Sequence, residues 1–102
     1  MKYITLVCVA GMSTSMMVSK MKEAAQKKQI EAEITAMSES SFDTYDGQTD
    51  VLLLGPQISY LEQNIRKKYE PKGIKVSVIE AASYGMMDGE RVLNKALEMI
   101  EK

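Results

Sequence analysis

The chain of 102 residues contains no histidine, and this absence excludes several kinds of chemistry at once. Histidine is the most frequent general base and the most frequent metal ligand in proteins, and it can also carry a phosphoryl group. With only one cysteine in the chain, a zinc site would need one thiol and several carboxylates, which is an unfavourable set of ligands. We therefore expect no metal and no other cofactor.

A basic excess is also lacking. Thirteen Lys and Arg residues face fourteen Asp and Glu residues, for a formal charge of -1. Proteins that bind nucleic acid or an anionic membrane surface normally carry a basic patch. The composition therefore favours neither partner.

Long apolar runs are missing as well, and the single cysteine cannot form an intrachain disulfide bond. Lys2 and the apolar residues 3–12 have the look of a short signal peptide, but cleavage near residues 13–15 would discard the cysteine and the first strand. The run is too short to span a bilayer. We expect a cytoplasmic protein without direct membrane insertion.

The length and the 45% of hydrophobic residues are typical of one compact domain, residues 1–102. Apolar or alternating segments predict strands at residues 2–7, 30–37, 51–54 and 74–80. Helical spacing predicts a helix over residues 14–29, a second one opened by Pro56, and a third one capped by Asp88. Residues 38–49 are predicted to be a loop with room for one helical turn, and residues 81–87 to be irregular.

Strands that alternate with helices predict an α/β fold with a four-stranded parallel sheet and helices on both faces. Apolar residues at helical spacing predict the buried face of the first helix, including Met17 and Met21. In such folds ligands bind at the carboxyl ends of the strands. Cys8, Gly55 and Glu80 all fall at such ends, so the only thiol is expected at the functional edge.

Three interpretations of Cys8 compete. A lone cysteine is most often a small apolar filler of the core. Here, however, it precedes a short segment that leads into a helix N-terminus, where backbone amides and the helix dipole favour an anion and the thiolate. Gly11 permits close approach, and Ser13, Thr14 and Ser15 supply hydroxyl donors, so the segment suits a tetrahedral dianion. A redox role is disfavoured because no second cysteine is available.

A cysteine beside a segment that can bind an anion also suggests a cysteine phosphatase of the low-molecular-weight kind. Such an enzyme needs an arginine six positions after the cysteine, and Thr14 stands there in this sequence. An Asp-Pro general acid is also missing. Without the countercharge and the proton donor, the segment is suited to hold a phosphoryl group and pass it on.

Three segments carry a family resemblance: "CVAGMSTSMMVSKM", "DVLLLGPQISY" and "YGMMDGERVL". They resemble the enzyme IIB component of the phosphoenolpyruvate-dependent sugar phosphotransferase system, in its lactose/cellobiose (diacetylchitobiose) family. The resemblance covers essentially the whole chain. It implies a four-stranded parallel sheet in the order 2-1-3-4. It also implies a phosphotransferase that accepts a phosphoryl group from the histidine of enzyme IIA and passes it to a disaccharide held by the membrane component, enzyme IIC.

Carried over to this sequence, the resemblance implies that Cys8 is the phosphorylated residue. It further implies that the phosphoryl oxygens bind to backbone N–H groups of a loop made of Val9, Ala10, Gly11, Met12, Ser13, Thr14 and Ser15. Three further residues are candidates for the rim of the site or the partner interface, namely Met16, Gln57 and Tyr84. Tyr84 equally suits a position covering the core.

Overall fold

The computed structural model describes residues 1–8, 11–45 and 47–101, and the side chains of the first helix from Ser15 onward. The strands are β1 (Lys2–Val7), β2 (Ala32–Met37), β3 (Val51–Leu54) and β4 (Lys75–Val78). The helices are α1 (Gly11–Lys27), α2 (Glu39–Asp43), α3 (Glu62–Tyr69), α4 (Ala81–Gly85) and α5 (Gly89–Glu101). Two 3₁₀ helices, Pro56–Leu61 and Glu70–Lys72, flank α3.

The four strands form one parallel sheet in the order β2-β1-β3-β4, which confirms the predicted fold class and strand order. Their carboxyl ends are aligned in register. Val7 at the end of β1 pairs with Met37 of β2 and Leu54 of β3, and Leu54 pairs with Val78 of β4. Whatever follows these four residues therefore emerges at one edge of the sheet.

One face of the sheet is covered by α1, α4 and α5. Met17 and Met21 of α1 are fully buried there, as predicted, together with Leu93 of α5. Sheet residues that alternate along β1 and β3 complete this core: Ile4, Leu6, Val51 and Leu53. Alternation of side chains along a strand sends their neighbours to the opposite face.

The opposite face is covered by α2, α3 and the 3₁₀ helix that precedes α3. Its core consists of Val7, Phe42, Leu52, Leu54, Ile58, Ile65, Tyr69 and Val76. Helices on both faces are therefore confirmed. The strands between them are buried on both sides, which explains why β1 and β3 are almost continuously apolar.

A polar cluster ties α2 to α3 at the margin of this second core. Oδ1 of Asp43 accepts hydrogen bonds from Nζ of Lys68 and the hydroxyl of Tyr69, both at 2.6 Å. These bonds hold the pKa of Asp43 below its ordinary value. Burial, and then the bond to Asp43, raises the pKa of Tyr69. The stabilisation is complete above the ordinary pKa of an aspartate and is lost as the pH falls through the lowered value.

Two predictions about secondary structure were wrong. Helix α1 starts at Gly11 and not at residue 14, because serine and threonine are compatible with both a loop and a first helical turn. Residues 81–85 form the short helix α4 and not an irregular segment. One turn and a half is too short to show helical periodicity in the sequence.

Helix α5 begins as predicted, with Asp88 as its cap. Oδ1 of Asp88 accepts a hydrogen bond from the backbone N–H of Arg91 at 3.1 Å, and the Asp88 carbonyl accepts one from Val92. The first helical residue, Gly89, lies against the backbone of α1. A Cβ at this position would lie 2.5 Å from the carbonyl carbon of Lys20. The close approach of α5 to α1 therefore requires glycine.

We predict that Gly89→Ala lowers the free energy of unfolding by about 1–3 kcal/mol, because the added methyl group meets backbone atoms that cannot move separately. Gly85→Ala is the matched control. Its Cβ would meet nothing within 4 Å, and alanine is favoured over glycine in a helix. This control should be neutral or stabilise by about 0.4–1 kcal/mol. Urea denaturation of both variants is the measurement, and equal effects would contradict the packing argument.

Candidate functional site

Cys8 is the first residue after β1 and lies at the common edge of the four strands. Its backbone N–H donates a hydrogen bond to the carbonyl of Met37, so the ladder between β1 and β2 fixes its position. The side chain is buried, with only 4% of its surface exposed. The thiol is therefore held by the rigid end of the sheet.

Two polar side chains from distant parts of the sequence meet at the sulfur. The Sγ atom of Cys8 donates to Oε1 of Gln57 at 3.4 Å and lies 3.8 Å from the hydroxyl of Tyr84. Gln57 follows β3 and Tyr84 lies on α4, which follows β4. The sequence predicts both residues as candidates for the rim of the site or the partner interface, and the structure brings both into contact with the thiol.

Gly55 makes this convergence possible. It follows β3, and its N–H donates to the carbonyl of Val7 at 2.9 Å, so it lies directly beside the cysteine. A Cβ here would lie 3.0 Å from Sγ of Cys8 and 2.8 Å from Oε1 of Gln57. Any larger residue would thus displace one of the two groups.

The predicted phosphate-binding segment lies only partly within the described residues. Val9 and Ala10 lie outside them. Residues 11–15 form the first turn of α1, so this part of the segment is helical and not a loop. Ser15 and Met16 are exposed on that helix. The role of these residues in binding a phosphoryl group stays a prediction.

An open depression of about 300 Å³ lies beside Cys8. Its walls come from the start of α2 and from the 3₁₀ helix after β3, and they include Ser38, Glu39, Tyr60 and Leu61. Sequence analysis missed Tyr60, because only its position in the fold shows that it is near the thiol. Another depression of about 350 Å³, between β4 and α5, does not include Cys8 in its lining.

Three large apolar side chains are exposed on the elements that surround the thiol. They are Met16 on α1, Tyr60 on the 3₁₀ helix and Met86 directly after α4. At 58%, 75% and 78% exposure, they are far outside the core. Exposed apolar side chains of this kind are suited to contact with another protein.

Neither a metal centre nor a membrane span is found in the part of the chain that the structure describes. No group of three or more His, Cys, Asp or Glu residues among residues 1–8, 11–45 and 47–101 could hold a metal ion. None of the helices in those ranges has both the length and the apolar character needed to cross a bilayer.

The sequence profile of the family described as "PTS system, Lactose/Cellobiose specific IIB subunit" matches residues 3–95. The chain belongs to this family. The resemblance inferred from the sequence motifs is thereby confirmed. The protein is a sugar-specific component of the phosphotransferase system, and IIB components act as phosphotransferases in sugar transport.

Curated relatives cover nearly the whole chain. An oligo-beta-mannoside-specific EIIB component of Bacillus subtilis is 41% identical over 98% of this chain and 97% of its own length. Galactose-specific and cellobiose-specific EIIB components of Lactococcus lactis are each 44% identical over 93% of both chains. These relatives carry three different sugar names, so identity to them does not single out one sugar.

Solved structures show the same fold. The cellobiose-specific IIB component of Borrelia burgdorferi has a TM-score of 0.80 at 38% identity, over 98% of this chain and 92% of the other. The lactose-specific IIB domain of Streptococcus pneumoniae has a TM-score of 0.85 at 15% identity, over 96% of both chains. The latter likeness concerns the fold alone.

We predict that Gly55→Ala slows alkylation of Cys8 by iodoacetamide at a fixed pH, since the methyl group would cover a sulfur that is already buried. The free energy of unfolding should fall by about 1 kcal/mol or less, because side-chain ends and not backbone atoms are displaced. Gly85→Ala again serves as the control. An alkylation rate equal to that of the wild type would contradict the close approach of Gly55 and Cys8.

Proposed function

We propose that this IIB component accepts a phosphoryl group on Cys8 from a phosphohistidine of enzyme IIA, and transfers it to a disaccharide held by the membrane component, enzyme IIC. The disaccharide is of the cellobiose, chitobiose or lactose type, and the protein works in the cytoplasm. The observation that carries the proposal is the thiol at the end of β1, held between Gln57 and Tyr84 and followed by the first turn of α1.

In the first step the Cys8 thiol loses its proton, and the thiolate attacks the phosphorus of the phosphohistidine. The S–P bond forms while the P–N bond breaks, and the electron pair of that bond returns to the imidazole. One proton leaves the thiol and one is taken up by the imidazole, so the charge balances. The missing histidine of this chain is then supplied by the partner.

In the second step a hydroxyl oxygen of the sugar attacks the phosphorus. The S–P bond breaks and its electron pair stays on Sγ, which leaves as a thiolate, while the sugar hydroxyl releases its proton to water or to a base of the partner. The sulfur thus carries negative charge at both ends of the cycle. Thiolates are good nucleophiles and good leaving groups, which suits a carrier.

A transferring role agrees better with the residues present than a hydrolytic one. The arginine that a low-molecular-weight phosphatase needs is replaced by Thr14. The carboxylate of Asp88, another residue beyond a strand end, is used as the cap of α5. A phosphoryl group on Cys8 would therefore lack the arginine countercharge and the Asp-Pro general acid on which such a phosphatase depends.

Exposed apolar side chains support successive docking of two partners. Tyr60 lines the depression beside Cys8, and Met16 and Met86 are exposed on α1 and directly after α4. Methionine adapts to differently shaped surfaces because it is unbranched and flexible. Sugar selectivity then belongs to enzyme IIC. With no tryptophan and one phenylalanine, this chain offers little aromatic surface for sugar rings.

We predict that Cys8→Ser folds like the wild type but accepts no phosphoryl group, because a serine hydroxyl here has no base to activate it. The experiment incubates the chain with phosphoenolpyruvate, the general phosphotransferase proteins and enzyme IIA. Mass spectrometry should find one phosphoryl group on the Cys8 peptide of the wild type. Phosphate on Ser13, Thr14 or Ser15 instead would disprove the assignment, and release of inorganic phosphate would favour the phosphatase.

A second prediction concerns the segment from Val9 to Ser15. Phosphorylation of Cys8 adds close to two negative charges, and each hydrogen bond from a backbone amide to them could contribute roughly 1.5–3 kcal/mol. The amide resonances of residues 10–15 should therefore shift strongly and exchange more slowly with solvent. Those of residues 76–79 in β4 serve as the internal control and should barely move. Unchanged amides in residues 10–15 would show that this backbone does not bind the phosphoryl group.

A further inference from the structure

The hydroxyl of Tyr84 is buried at the sulfur of Cys8. The residue is 7% exposed, and its ring belongs to the core formed by α1, α4, α5 and the sheet. A phenylalanine would fill the same space without needing a polar partner. A buried hydroxyl requires a hydrogen bond, and among the described residues its partner is Sγ of Cys8, at 3.8 Å.

The two side chains present different atoms to the sulfur. Oε1 of Gln57 is an acceptor, so it can bind the S–H of the thiol but not a bare thiolate. The Tyr84 hydroxyl can donate to sulfur in either state. When the thiol proton leaves, the contact with Oε1 is lost, whereas a hydrogen bond from Tyr84 becomes stronger because its acceptor is now charged.

We propose that Tyr84 is a catalytic residue whose hydroxyl donates a hydrogen bond to Sγ of Cys8 and stabilises the negative charge on that sulfur. The inference rests on the proposed phosphoryl transfer through Cys8. It assigns to Tyr84 the same task in both transfer steps. The hydroxyl stabilises the thiolate before it attacks the phosphohistidine, and again when the S–P bond breaks and the electron pair returns to sulfur.

Tyr84 is held in place before either step. Its backbone N–H donates to the carbonyl of Glu80 at 2.9 Å, its carbonyl accepts from Met87 at 3.1 Å, and its ring is packed in the core. A donor fixed at the place where charge develops costs little reorganisation during the reaction.

The neutrality of this donor fits a carrier. An arginine at the site would stabilise the thiolate, but it would also bind the oxygens of the phosphoryl group with a full countercharge. A phenol stabilises the sulfur without adding positive charge. The phosphoryl group is thus left free to move to the next acceptor.

The test compares Tyr84→Phe with Tyr69→Phe. Both tyrosines are 7% exposed, but the hydroxyl of Tyr69 binds Asp43 on the opposite face of the sheet. Tyr69→Phe therefore removes the hydroxyl of an equally buried tyrosine away from the sulfur and controls for a general loss of stability. Circular dichroism and thermal denaturation establish that both variants are folded.

The first readout is the pH dependence of Cys8 alkylation by iodoacetamide. The ultraviolet absorbance of the thiolate gives the same midpoint without depending on access of the reagent. In Tyr84→Phe the midpoint should move to higher pH by about one unit, which makes alkylation at neutral pH about tenfold slower. Tyr69→Phe should keep the wild-type midpoint. An unchanged midpoint in folded Tyr84→Phe, or an equal shift in both variants, would overturn the proposal.

The second readout is the rate of phosphorylation of Cys8 by enzyme IIA and the rate of onward transfer to sugar. Both should fall by about tenfold in Tyr84→Phe and remain unchanged in Tyr69→Phe. A shifted alkylation midpoint with normal transfer rates would refute a catalytic role. If the wild type itself is not phosphorylated on Cys8, the proposed function fails, while a shifted midpoint would still establish the hydrogen bond from Tyr84 to the sulfur.

Discussion

The alignment of the carboxyl ends of the four parallel strands is the constraint on which the site depends. Val7, Leu54 and Val78 are aligned through direct pairing, so the segments that follow β1, β3 and β4 start at one edge. Cys8, Gln57 and Tyr84 come from these three segments, and their contacts at the sulfur are a consequence of strand register. A shift of one residue in that register would reverse the facing of a whole strand and separate them.

Glycine at two positions lets the elements come close enough for this geometry. Gly89 brings α5 against the backbone of α1, which places the helical layer on the face that also holds Tyr84. Gly55 leaves room beside β3 for the sulfur and for Gln57. In the first case a methyl group would meet backbone, and in the second it would meet Sγ of Cys8 and the amide of Gln57. Packing and chemistry therefore impose the same residue type for different reasons.

Gln57 and Tyr84 are two side chains in contact with the sulfur of Cys8. The amide oxygen of Gln57 accepts a hydrogen bond from the thiol, and the hydroxyl of Tyr84 is the second contact of the sulfur. Neither side chain carries a charge, and Thr14 stands where a phosphatase has arginine. Such a site can favour a thiolate through local dipoles while leaving a phosphoryl group weakly held.

Local patterns in the sequence determined much of this protein: the strand–helix order, the buried faces of α1 and α5, the cap at Asp88 and the position of Cys8 at a strand end. Periodicity and capping are properties of neighbouring residues, so the chain shows them without its fold. Only the tertiary structure decided that α1 begins at Gly11, that residues 81–85 are helical, and that Gln57 and Tyr84 touch the sulfur. These residues lie 49 and 76 positions from Cys8, and contacts over such separations arise from strand pairing and core packing, which no local pattern encodes.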